Sequence, residues 1–115
     1  MLYTKNVNAT STTEQTIVTV PDGFVAHWNM LYVVNVGGST NGANLKVEKA
    51  DSTIIDILGG GNISAKEYIL LTDAVFVLQP GDSVICSLTA AGDMEFVITF
   101  DLLPAPATFV NFNGA

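Results

Sequence analysis

The chain has no arginine, and its four lysines, Lys5, Lys46, Lys49 and Lys66, face eleven carboxylates, for a formal net charge of −7. Nucleic acids and anionic membrane surfaces are held by stripes of cations, so neither is an expected partner. Cys86 stands alone, which rules out an intramolecular disulfide and a cysteine-rich metal site. His27 is the only histidine. No G-x-S-x-G elbow accompanies it, and its place in mid-strand beside Trp28 suits packing or an interface better than a nucleophilic triad. No segment repeats apolar residues at i, i+3, i+4 and i+7 with capping signals, so little or no helix is expected. Long apolar runs are missing too. Even Phe24–Val36 is interrupted by His27, Asn29 and Asn35, short of the roughly 18 apolar residues of a membrane helix, and MLYTKNVNATS lacks the apolar stretch of a secretory signal.

What remains is rich in apolar residues: 49% of the 115 residues are hydrophobic and 13% charged. That composition folds, and the length suits one domain. Apolar and polar residues alternate in short runs that end at Pro21-Asp22-Gly23, Gly37-Gly38, Gly59-Gly60-Gly61, Pro80-Gly81-Asp82 and Gly92-Asp93. Period-two alternation punctuated by turn formers predicts an all-β protein, an antiparallel β-sandwich (jelly-roll or Ig-like) of about eight or nine strands.

The predicted strands are Gln15–Val20, Phe24–Val36, Asn44–Ala50, Thr53–Leu58, Ile63–Thr72, Val75–Gln79, Asp82–Thr89 and Met94–Leu103. Residues 1–13 read as an N-terminal arm or short strand, 14–103 as the sandwich domain, and 104–115 as an extended C-terminal arm. In the longest strand Phe24, Ala26, Trp28, Met30, Tyr32, Val34 and Val36 are expected on the core face, with a bend or bulge near Asn29 as a further possibility. Met94, Phe96, Ile98, Phe100 and Leu102 form a second core face. Cys86 shares a face with Val84 and Leu88, as a small core residue does.

Chemistry-bearing patterns are sparse. Gly59–Asn62 is glycine-rich but leads to no Lys-Ser/Thr and no helix, so a hairpin loop is the better reading than a phosphate cradle. Asp51, Asp56, Asp73, Asp82, Asp93 and Glu95 match no calcium loop, and most suit turns. No cofactor, metal or catalytic residue is assigned. The candidate interface residues are His27 and Asn29, on the mixed face of the long strand, and Phe109, Val110 and Phe112. These last three follow Pro104 and Pro106 in an uncharged tail that reads as an arm reaching a neighbouring subunit.

Three groups of residues together resemble small β-sandwich virion proteins of tailed bacteriophages. They are Thr16–Gly23 followed by a strand ending Leu31-Tyr32-Val33-Val34-Asn35, then Tyr68-Ile69-Leu70-Leu71, then Leu78-Gln79-Pro80-Gly81-Asp82 with Ala90-Ala91-Gly92. The resemblance covers about residues 16–103 and implies a non-enzymatic structural role. A capsid decoration (cement) protein at the particle surface, made in the host cytoplasm, is the leading expectation. Its expected partners are further copies of itself, in a trimer, and the major capsid protein or other virion proteins. A neck, tail or fibre subunit is the second structural reading. A lectin-like module, with Trp28, Tyr32 or Tyr68 stacking a sugar, is the alternative from another class.

Overall fold

The computed structural model describes residues 1–105 and, at residues 73–75, the backbone alone. Eight strands follow in order: β1 (Leu2–Ala9), β2 (Gln15–Thr19), β3 (Phe24–Asn35), β4 (Asn41–Glu48), β5 (Ile54–Ile63), β6 (Tyr68–Leu78), β7 (Ser83–Leu88) and β8 (Met94–Pro104). No helix occurs among the described residues. The strands form two four-stranded antiparallel sheets, β1-β8-β3-β6 and β2-β7-β4-β5. β1 pairs with β8, β2 with β7, β3 with β6 and β4 with β5, so the chain is one long hairpin rolled over on itself. Of the two sandwich topologies expected, this is the jelly roll.

The core lies between the sheets. Trp28, Leu31, Val33, Phe96 and Ile98 from the first sheet meet Leu45, Val47, Val84 and Leu88 from the second, all at most 1% exposed. At up to about 3 kcal/mol per large apolar side chain fully buried, this interdigitation is the main stabilising term.

The long strand corrects the sequence reading. Between Trp28 and Met30 the register shifts against both neighbours, leaving Asn29 as an extra residue against β8. A bulge of this kind reverses the alternation. Ala26 and Trp28 face inward as expected, but beyond the bulge Leu31, Val33 and Asn35 are the buried set, and Met30, Tyr32 and Val34 turn outward. Trp28 fixes the irregularity, because its indole Nε1 donates to the Met30 carbonyl at 2.8 Å. A buried indole N–H thus finds an acceptor at the bulge.

Two further boundaries differ from expectation. Gly59–Asn62 belongs to β5 instead of a hairpin loop, since β4 runs alongside it from Asn41↔Ile63 to Asn44↔Gly59. The strands approach so closely there that a Cβ on Gly42 would lie 2.7 Å from the Gly60 carbonyl oxygen. Small residues permit this ladder rather than end it. The expected strand Ile63–Thr72 is divided by a turn, in which Lys66 takes φ 65° and Glu67 N donates to Ser64 O at 3.0 Å. β6 then runs continuously through residues 73–75.

Polar residues pin the loops. Asn35, 1% exposed, donates from Nδ2 to Ser39 O and Ile63 O, both at 2.9 Å, and accepts from Gly37 N at 3.0 Å. Where β6 passes to β7, Gly81 takes the φ of 87° that the Pro-Gly turn requires. Asp82, fully buried, accepts from Lys49 Nζ at 2.6 Å, Gln79 N at 2.8 Å and Ala50 N at 3.0 Å.

Candidate functional site

The reversal at Asn29 gives the β3–β6 half of the β1-β8-β3-β6 sheet an apolar outer surface. Met30, Tyr32 and Val34 of β3 stand beside Val97 of β8 and across from Thr72, Leu70 and Tyr68 of β6. Tyr68, Leu70 and Val77 are 59%, 49% and 54% exposed. Tyr32 and Tyr68 lean together with ring centroids 5.6 Å apart and planes at 38°. Among the described side chains of β3 and β6 none carries a formal charge at neutral pH. Among the described side chains the carboxylates on this sheet's outer face are on β8: Asp101, and Glu95, whose Oε2 is shielded and takes no hydrogen bond among the described residues.

β6 also ends the sheet, and its outer side is unpaired among the described residues. An open, apolar edge strand of 11 residues is a template for another strand. Natural proteins commonly blunt such edges with lysine, proline or a short strand. β6 has neither lysine nor proline.

His27 and Asn29 both lie on this sheet. His27 is exposed on the outer face, where its ladder neighbours are Val77 and Asp101. Asn29, half-buried at the bulge, accepts a hydrogen bond from Thr99 Oγ1 at 2.6 Å. Phe109, Val110 and Phe112 lie outside the described residues, so the structure brings the first two candidates together and does not place the other three. Trp28, offered by sequence as a sugar-stacking residue, is fully buried.

The other sheet presents a different exterior. Asn44, Lys46 and Glu48 of β4, Asp56 of β5 and Ser83 of β7 point outward, and Lys46 Nζ meets Glu14 Oε2 at 2.6 Å. The hydrogen bond to Glu14 raises the Lys46 pKa above its ordinary value. Cys86, on the inner side of β7, is pushed up to about 11 by burial, which leaves it a packed thiol.

A cleft of about 430 Å³ opens between the layers where the edge strands β1 and β2 diverge. Tyr3, Ile17, Val20, Phe100 and Leu102 give it apolar walls, and Lys5 and Thr16 stand at its border. Tyr3 stacks on Phe100 at 5.7 Å. Among the described residues no group of three or more His, Cys, Asp or Glu side chains is placed to hold a metal ion.

The sequence offered two readings of the long strand, a single alternation and a bulge near Asn29; the structure takes the bulge, and the core face drawn from the single alternation hid the outer apolar set. The signal was present in Asn29 itself, a polar residue interrupting a hydrophobic strand. The cleft had no local signal, since it arises from two edges distant in sequence. Compared with the models of known protein families and with curated proteins, the chain matches none.

Proposed function

We propose that the protein is a non-enzymatic structural subunit of a virus particle, a decoration (cement) protein of the tailed-bacteriophage kind that self-associates and bridges neighbouring shell subunits. The observation that carries this reading is the outer face of β3 and β6, apolar across its described side chains and bounded by a strand edge unpaired among the described residues. A chain of net charge −7 resists contact with its own copies. An uncharged aromatic and aliphatic face is where such molecules meet a partner without desolvating carboxylates. Viral capsid proteins use the jelly roll repeatedly, which supports the reading by analogy of fold alone. A multivalent oligomer spanning several shell subunits gains effective concentration at each further contact, and this is how a small protein stiffens a shell against packaged DNA.

The test is co-sedimentation of the purified protein with capsids stripped of decoration, together with its copy number in intact particles by quantitative mass spectrometry. Saturable binding and high copy number are expected. A single ring of copies per particle would move the assignment to the neck or tail, and absence from particles would end it.

One observation favours the lectin reading: Tyr32 and Tyr68 form an exposed aromatic pair on the outer face. Its neighbours Leu70, Val34 and Val97 are aliphatic, and Glu95, across from Val34, is a single hydrogen-bonding group beside them, so the docking reading is preferred. A glycan array distinguishes the two.

A further inference from the structure

We propose that the cleft between β1 and β2 receives the C-terminal segment of a second copy of the chain, with Phe109 as the entering side chain. The inference rests on the self-association in the reading above, but not on binding to a capsid. Each molecule then carries one arm and one receptor cleft. This head-to-tail arrangement closes into a ring when the rotation between copies permits. The trimer implied by the family resemblance is such a ring.

The cleft has the right character. Ile17, Phe100 and Leu102 line a gap of about 430 Å³ in a sandwich whose core is otherwise closed around residues at or near zero exposure. An apolar cavity of about 150 Å³ holds a benzene ring, so this gap has room for at least one aromatic side chain. Lys5 makes no ion pair among the described residues, and its stem covers apolar surface while the ammonium stays wet.

The arm starts beside the cleft. Leu102 lines the gap, and three residues later Ala105 N donates to Gly23 O at 2.7 Å, which holds the chain on the line of β8. Pro106 then fixes its own φ and biases Ala105 to an extended conformation. Pro-Ala-Thr-Phe-Val contains no glycine, asparagine or aspartate, so no residue in it is suited to the positive φ of a tight reversal before Asn111. That composition favours an extended reach to another copy's cleft over a return to the molecule's own. The ten residues beyond Ala105 can span up to about 35 Å, ample for an adjoining copy. None has a charged side chain, so entry into an apolar gap strips no side-chain ion of water.

The test has three parts, all on the full chain or its direct variants. Light scattering after size exclusion gives the mass of the wild-type protein, of a form lacking residues 106–115, and of Phe109→Ala. An oligomer is expected for the first, a folded monomer for the second, and at least tenfold weaker association for the third. Separately prepared Thr16→Cys and Phe109→Cys proteins are then mixed under mild oxidation, with buried Cys86 left in place. A one-to-one cross-linked pair is expected from the mixture and not from either protein alone. In the third part, a synthetic peptide of residues 104–115 is expected to bind the shortened protein, and its Phe109→Ala version is not. A wild-type oligomer whose mass survives the deletion, without mixed cross-links, overturns the exchanged arm and leaves self-association standing. A Cys double variant that closes only within one chain overturns it in favour of a folded-back arm. A monomeric wild-type protein sinks both.

Discussion

The two sheets contribute comparable strands to one core and yet meet the outside in opposite ways. Across β4, β5 and β7 the exterior has alternating charged and polar residues, with Lys46 bonded to Glu14 and flanked by Glu48 and Asp56. Across β3 and β6 it has Met30, Tyr32, Val34, Tyr68, Leu70 and Val77. Core formation cannot explain the difference, because both interiors are equally buried. An apolar exterior of this kind is what the proposed docking role would use.

The largest test concerns what keeps the unlike faces on one body. The turn from β6 to β7 crosses between sheets, and there Lys49 and Asp82, with side chains 10% and 0% exposed, form a buried pair. Asp82→Ala leaves a buried ammonium and two backbone N–H groups without their acceptor. The expected loss is about 3–5 kcal/mol in urea unfolding. A loss below 1 kcal/mol, on the order of an ordinary surface change, would show that the corner is not a joint between the sheets.

Next in size is a matched pair of surface changes. Leu70→Glu on the apolar exterior and Ile54→Glu on the polar one begin from similar exposure, 49% and 44%. Both should fold with stability changed by less than about 1 kcal/mol. Leu70→Glu is expected to weaken binding to capsids at least tenfold, while Ile54→Glu leaves it intact. Equal losses would erase the distinction between the faces.

A smaller effect separates interior from exterior. Cys86 should resist iodoacetamide at pH 8 in the folded protein and react once unfolded in urea. Its thiol pKa is raised from 9.0 to about 11, so above pH 9 the unfolded chain loses this proton first. Linkage then makes stability fall as pH rises from about 9 towards about 11, with no contribution from this group at neutral pH. Rapid labelling at pH 8 without denaturant would contradict the packed thiol.

The smallest change is Glu14→Gln on the polar exterior. An exposed ion pair contributes little, so no resolvable shift in melting midpoint is expected. The Lys46 pKa, followed by NMR, should move down towards its ordinary value as the carboxylate is lost. A marked melting shift would mean the polar exterior is more than a solvated face.

The sandwich was legible because period two and turn chemistry agree along most of the chain. The faces of β8 could be read directly: Met94, Phe96, Ile98 and Phe100 are all at most 3% exposed. Errors arose where tertiary contacts override local signals. Asn29 inserts one residue and reverses the outward set of β3. The glycines of β5 look like a loop but tolerate the close approach of Gly42. Asp82 read correctly as a turn residue, whereas its pairing with Lys49 depends on two segments brought together only by the fold. Of the candidate site, His27 and Asn29 were found for their polarity, while Leu70, Val77 and Tyr68 passed as ordinary strand residues.

The position of β8 has a bearing on how the protein is made. It sits between β1 and β3, and Leu2 aligns with Asp101, so β1 has no neighbour in its sheet until β8 has left the ribosome. During synthesis two apolar borders wait for one late insertion. Such a chain should mature slowly, and crowding of nascent molecules should be its period of greatest vulnerability to aggregation.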